Sequence, residues 1–382
     1  MRRVLPVVAL LLLLAAGCGG AQQRPELQSV LDGLVKGPSM IAPGATAYVS
    51  GPNGTWSGAA GLADIQTFQR MRPDARMRLE SVSKLWTATL VLQLAGEGRL
   101  GLEDTVEHWL PGVLPYGDRL TIHELLNHTS GLVDNNDIGH DPQHYIGLVK
   151  DAELRSQLES IYARYSKNPN VTFSPLVWIH FAAALPLLAK PGTQYHYSNI
   201  GYEILGLIAA RAGGKPLATL YRERIAKPLG LTSVAYNPQG DIAGPHAVGY
   251  LIDASGKPFA ATAWSTGGIG AEGGIVASAR DEARFLVALM QGKLLKPAQL
   301  AALKTVAPAA TAGLYGLGTG VDQSGCAGTA YGHNGGGAGF ASSVFVSGDG
   351  SRVAVLLLNG RAAGNPRDVD VYDAMNKLYC KA

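Results

Sequence analysis

Ser81-Val82-Ser83-Lys84-Leu85-Trp86-Thr87-Ala88-Thr89-Leu90-Val91-Leu92-Gln93-Leu94 opens a helix expected to run from Ser81 to Glu97. Its apolar residues Leu85, Trp86, Leu90, Val91, Leu92 and Leu94 fall on nearly every side. A helix that is apolar all round must be covered all round, so this one belongs at the centre of the fold. Its first turn carries S-x-x-K, and at i and i+3 Ser81 and Lys84 share a face. A serine hydroxyl is a poor nucleophile and needs a base. A lysine in a largely buried site can lose its proton near neutral pH, because desolvation disfavours the ammonium. The helix N-terminus adds positive potential and free N–H groups on which an oxyanion can settle.

Outward from this helix the pattern changes to alternation. Ala45–Ser50 and Thr55–Ala60 read as strands around Gly51-Pro52-Asn53-Gly54, a hairpin signal. Met77–Leu79 reads as a short strand. Val344–Val346 and Val353–Leu358 flank Gly348-Asp349-Gly350-Ser351, a second hairpin, and Asp368–Tyr379 reads as a terminal helix. Between the two ends, about 100–260 carries helical patterns and loops, with Gly201–Ala210 another apolar helix. Strands at both ends and helices between predict an α/β fold. Its antiparallel sheet is built from both chain ends and flanked by helices, with a helical region inserted.

Composition narrows the function. At 47% hydrophobic and 16% charged residues, the 382-residue chain is not disordered. Its 49 glycines follow no G-x-y period, which excludes collagen. The net charge is +3, and 3 − 2 = +1 once Arg2 and Arg3 are assigned to a leader, so there is no basic face for nucleic acid. With 3 cysteines there is neither a disulfide scaffold nor a Cys-rich zinc site.

Two further elements carry chemistry. Tyr197-Ser198-Asn199 sits in an extended loop after Lys190-Pro191-Gly192. Alternation there puts Tyr197 and Asn199 on one side and Ser198 on the other. A tyrosine can relay a proton, and an amide can orient both a lysine and a substrate carbonyl. His333-Asn334-Gly335 lies in a glycine-rich run next to a strand, where a substrate backbone can lie close. Two other motifs read as structural. Gly268-Ile269-Gly270-Ala271-Glu272-Gly273 fits G-x-G-x-x-G, but lacks the preceding strand and the later acidic residue of a dinucleotide site, and reads as a flexible turn. His123-Glu124-Leu125-Leu126-Asn127-His128 approaches H-E-x-x-H. At i and i+5 the histidines diverge by about 140° on a helix and cannot share a zinc.

S-x-x-K near the start, Tyr-x-Asn near the middle and His-x-Gly before a late hairpin together resemble the serine β-lactamase and penicillin-binding superfamily. The likeness is to class C β-lactamases and their D-Ala-D-Ala carboxypeptidase, D-aminopeptidase and esterase relatives. Leu120–Leu132, Pro191-Gly192, Pro228-Leu229-Gly230-Leu231 and Gly273-Gly274-Ile275-Val276 through Asp281 resemble further family segments, so the likeness runs from about residue 35 to 365. It implies Ser81 as nucleophile, Lys84 as its base and Tyr197 as a sharer of proton transfer. Asn199 would hold Lys84 and the substrate carbonyl. His333, Asn334 and Gly335 would bind substrate, His333 standing where many relatives have lysine. The backbone N–H groups of Ser81 and Gly336 would form the oxyanion hole. No metal or organic cofactor is implied.

The reaction implied is acylation of Ser81 followed by hydrolysis of an ester or amide in a small-molecule or peptide substrate. D-Ala-D-Ala carboxypeptidase and class C-like β-lactamase activities stay open, as does a non-catalytic binding module on the same fold. An unperturbed histidine is mostly neutral at pH 7.5. His333 is therefore expected to favour neutral substrates over carboxylates, with the attraction to carboxylates growing as pH falls.

The chain opens with MRRVLPVVALLLLLAAGCGG. The apolar run Val4–Ala16 spans roughly 20 Å as a helix, short of the ~30 Å hydrocarbon core, and reads with its arginines as a secretory signal over residues 1–18. Ala15-Ala16-Gly17-Cys18 resembles a bacterial lipobox, with Ala15 where leucine is usual. That implies a diacylated Cys18 and a membrane anchor in the cell envelope, facing the periplasm; without lipidation the chain is secreted. Residues 19–35 read as a polar tether before a hydrolase domain over 36–382. Export implies an oxidising compartment, in which Cys326 and Cys380 either pair or stay free. The sequence does not indicate an oligomeric state.

Overall fold

The computed structural model describes residues 24–36, 40–167, 174, 176–238, 242–253, 256–262, 270–323, 326, 328–337, 339–362 and 368–382. The leader, with Cys18, and residues 19–23 lie outside them.

Both chain ends build the main sheet. Strands β1 (Gly44–Gly51), β2 (Gly54–Asp64) and β3 (Gln69–Arg70) come from the N-terminal side. Strands β4 (Gly320–Asp322), β5 (Ala330–Gly336), β6 (Ala341–Ser347) and β7 (Val353–Leu358) come from the other. The seven strands run in the order β3-β2-β1-β7-β6-β5-β4. Every neighbouring pair is antiparallel, with Tyr48 opposite Val355 where the two ends of the chain meet. In β7 every residue is buried, because its alternate side chains enter different cores. Ala354, Leu356 and Leu358 join one apolar cluster, while Val353, Val355 and Leu357 join the other.

The first cluster is closed by α1 (Pro25–Val35) and the terminal helix over Asp368–Cys380. This corrects the tether expected over residues 19–35. Proline at the first helical position and leucines at 27, 31 and 34 make an amphipathic helix, and Leu27 and Leu31 are fully buried against the sheet. The second, larger cluster holds α2 (Ser83–Gly96), α3 (Asn199–Gly213) and α4 (Ala279–Met290). Helix α2 is buried along nearly its whole length, as its all-round apolarity demands. The last helix, α5 (Asp368–Cys380), returns to the opposite face of the sheet. There a disulfide joins Cys380 to Cys326, with Cα atoms 5.6 Å apart.

The inserted region is helical from Val106–Trp109 to Arg222–Ala226. From there to residue 262 the described residues form short strands rather than helices. Ala235–Tyr236 pairs with Ile275–Ala277, which also receives Met77–Arg78. Tyr250–Ile252 lies between Pro258–Ala260 and Gly360–Ala362.

Candidate active site

Ser81 does not open α2 directly. It lies in a 3-10 turn, Glu80–Val82, that leads into the helix. Glu80 takes φ 50°, a left-handed conformation uncommon for a residue with a side chain. Strand β5 passes close by. A Cβ added at Gly335 would lie 2.4 Å from the Leu79 carbonyl oxygen and 3.0 Å from the Ser81 nitrogen, so only glycine fits there. Ser81, Gly335 and Gly336 line one cavity of about 250 Å³, joined by Val371 and Tyr372 from α5.

Lys84 follows one turn into the helix, fully buried. Its Nζ donates to Ser81 Oγ at 3.1 Å, Asn199 Oδ1 at 2.6 Å, the Glu272 carbonyl at 3.1 Å and Glu272 Oε2 at 3.3 Å. The Tyr197 hydroxyl interacts with both Lys84 and Ser81. Nζ also lies 4.9 Å from the Tyr197 ring centre and 5.4 Å from that of Tyr202.

The protonation state differs from the expectation that burial frees the Lys84 amine. Burial pulls its pKa down, but the Tyr197 oxygen, the Glu272 carboxylate and Asp134 outweigh it, and the pKa ends above that of ordinary lysine. Burial raises the Tyr197 phenol as well, with Lys84 offsetting part of the rise. Both shifts favour the protonated forms, an ammonium on Lys84 and a phenol on Tyr197.

Asn199 begins α3, whose N-cap is Ser198. The Asn199 amide oxygen faces Lys84. Its amide nitrogen donates to Asn135 Oδ1 at 3.0 Å and Asp134 Oδ2 at 3.3 Å. Both donors are thus spent, and the expected bond from Asn199 to a substrate carbonyl has no free N–H. Burial raises the Asp134 pKa to about 6, although the Asn199 backbone N–H opposes the rise.

His333 lies on β5 with both ring nitrogens engaged. Nδ1 donates to the Asn334 carbonyl at 2.5 Å, which leaves Nε2 to accept from the Tyr315 hydroxyl at 2.9 Å. The side chain is only half-buried, yet the apolar surroundings of its ring, then the Lys84 charge, push its pKa down to about 3. His333 is thus neutral across the physiological range, and the expected growth of carboxylate attraction on mild acidification is not supported. It borders a second cavity of about 400 Å³ with Tyr195, Tyr197 and Tyr315. Asn334 is exposed and accepts from Ser343 Oγ at 2.7 Å. A larger cavity, about 1240 Å³ between Pro115–Arg119 and Ala184–Pro191, contains none of these groups. Convergent polar groups, not volume, mark the site.

Four contributors, Glu272, Glu203, Asp134 and His128, were given no chemical role by the sequence. Glu272 comes from the glycine-rich turn, of which residues 268–269 lie outside the described residues. Glu203 of α3 holds that turn by accepting from the N–H groups of Gly270, Ala271 and Glu272. Asp134 fixes Asn199. His128 is buried, with φ 60°, accepts from the Ser198 N–H through Nδ1 at 3.1 Å, and tilts against Tyr197 at 4.3 Å. Glu124, the other member of the H-E pattern, closes a capping box with Thr121. An acidic residue inside a glycine-rich turn was the available signal for Glu272.

A seven-stranded antiparallel sheet between two apolar clusters carries the serine–lysine pair beside β5. The Beta-lactamase family model matches residues 32–376, and the chain belongs to that family. Esterase EstB of Burkholderia gladioli is 32% identical over 187 residues, 47% of this chain and 43% of that protein. Penicillin-binding protein 4* of Bacillus subtilis (strain 168) is 27% identical over 240 residues, 62% of this chain and 48% of its own length. The match thus spans less than half of either curated relative. A D-stereospecific amidohydrolase from Streptomyces sp. superposes with TM-score 0.77 at 27% identity, covering 93% of this chain and 98% of the other.

Proposed function

We propose that the chain is a serine hydrolase that cleaves an ester or amide bond through an acyl-enzyme on Ser81. The observation that carries this reading is Lys84 Nζ, which bonds Ser81 Oγ at 3.1 Å and lies 4.9 Å from the Tyr197 ring centre. A nucleophile, a base and a proton relay within hydrogen-bond reach are what acyl transfer requires. Ser81 Oγ attacks the carbonyl carbon, and its proton passes to Lys84. The oxyanion settles on the Ser81 and Gly336 N–H groups; losing one such donor typically costs about 10²–10³ in rate. Tyr197 delivers a proton to the leaving group, and water then releases the acyl group. The names esterase, penicillin-binding protein and amidohydrolase among its relatives support the reaction type.

A neutral His333 favours neutral esters and amides over substrates with a carboxylate near the scissile bond. D-Ala-D-Ala peptides and β-lactams carry such a carboxylate, which makes them the second reading. Turnover of a neutral acetyl ester and a cephalosporin, by wild type and Ser81→Ala, tests both points. Wild type should prefer the ester, with a ratio unchanged between pH 8 and 6, and Ser81→Ala should lose both activities. An active Ser81→Ala variant removes the reading; a strong cephalosporin preference removes the substrate assignment. We further propose export and a lipid anchor on Cys18. Cys18→Ala should move the protein from the membrane fraction to the soluble one, and unchanged fractionation refutes the anchor.

A further inference from the structure

Lys84 cannot serve as a base until it has lost a proton, and one group beside it is placed to take it. Its ammonium has three protons, yet oxygens of Ser81, Tyr197, Asn199 and Glu272 all lie within reach. Asn199 and the Glu272 carbonyl are neutral acceptors. The Ser81 hydroxyl is the group to be deprotonated, and Tyr197 is already a phenol. His128 and His333 also face Lys84, and burial, then its charge, keeps both neutral. Asp134 acts on Lys84 across Asn199, through charge and not through a hydrogen bond. That leaves the Glu272 carboxylate, 3.3 Å from Nζ, as the anion in direct contact with the lysine. It is held there by its own backbone: the Glu272 N–H donates to Glu203 at 3.2 Å, and its carbonyl accepts from Lys84.

We propose that Glu272 is the proton partner of Lys84, a positioning residue that stores the lysine's proton while the amine acts as base. The proposal rests on the Ser81 acyl-enzyme reading. On substrate binding, a proton moves from Lys84 Nζ to Glu272 Oε2, leaving a neutral amine and a carboxylic acid. The amine takes the Ser81 Oγ proton as the Oγ–C bond forms and the carbonyl π electrons move onto oxygen. When the adduct collapses, the C–leaving-group bond breaks and Lys84 supplies the leaving group's proton through Tyr197. Glu272 then returns its stored proton to Lys84, and the resting ammonium and carboxylate are restored.

The test is the pH profile of kcat/KM for a neutral acetyl ester, from pH 6 to 10, in wild type, Glu272→Gln and Glu272→Asp. Glu272→Gln should lose about 10²-fold at pH 7, in the range of a positioned acid or base. The loss should shrink steadily toward pH 10, where solvent removes the lysine proton instead. Glu272→Asp keeps the carboxylate and should retain the wild-type shape with a smaller loss. It also decides the matter if the glutamine variant does not fold. A glutamine variant as active as wild type at pH 7 overturns the proposal, since the carboxylate would then only hold the ammonium. A loss of equal size at every pH in Glu272→Gln, or a profile of altered shape in Glu272→Asp, also overturns it by showing a structural role. An inactive wild type, or an active Ser81→Ala control, would instead overturn the parent reading.

Discussion

The Lys84 ammonium ties together residues from three distant parts of the chain, and its partners act on the same few protons. Lys84→Ala and Tyr197→Phe should each lower kcat by roughly 10²–10⁴, the usual span for a positioned acid or base. The double variant should fall well short of the product of the two losses, because the residues share one proton path. Multiplicative losses in steady-state kinetics would show that they work separately. That Ser81, Lys84, Tyr197 and Asn199 meet in space was legible because each sits in a short motif whose spacing has a chemical meaning. Glu272 and Asp134 were not. Glu272 reaches Lys84 across 188 positions of sequence, and only the folded turn brings it there. The sequence also could not decide the balance on Lys84. Burial and neighbouring anions act in opposite directions, and their distances settle which prevails.

Among the elements, α2 and α4 meet at a buried carboxyl. Trp86 of α2 stacks on Phe285 of α4 at 4.0 Å and donates through Nε1 to Glu282 Oε2 at 2.9 Å. Glu282 is fully buried, and burial raises its pKa from 4.5 to about 8. The folded state thus keeps this proton over a range where the unfolded chain releases it. The associated stability is full below about pH 4.5 and declines as pH rises to about 8. Glu203, also raised to about 8, adds a decline of the same sign. Glu282→Gln cannot ionise, so its denaturation midpoint should fall less steeply than wild type's between pH 5 and 8. Parallel slopes in thermal melts would contradict this. The hairpin of β1 and β2 was legible from alternation around Gly51-Pro52-Asn53-Gly54. Helix α1 was missed because its polar residues suggested a solvated tether, while leucines four positions apart carried the weaker signal of a stripe. The 3-10 turn at Ser81 was missed because strand contact, not local propensity, shapes it.

At the scale of the whole molecule, the two chain termini close one sheet, and the Cys326–Cys380 disulfide fastens the last helix beside β4 and β5. The cysteines are 54 positions apart, and closing a loop of that length contributes about 4 kcal/mol in the chain-entropy model. Reduction under native conditions should therefore lower the denaturation midpoint markedly, and an unchanged midpoint would show that the bridge does not constrain the chain. Strands at both ends with helices between were enough to read the architecture. The pairing of cysteines was not legible, since only the return of α5 to the sheet brings them together. Everything in the functional account depends on one bond, from Ser81 Oγ to an acyl group or its mimic. The direct measurement is to treat the intact protein with a fluorophosphonate and map the adduct by mass spectrometry. The account predicts a single adduct, on Ser81, absent from Ser81→Ala. An adduct on Ser83, Ser198 or any other residue, or none at all, would contradict it.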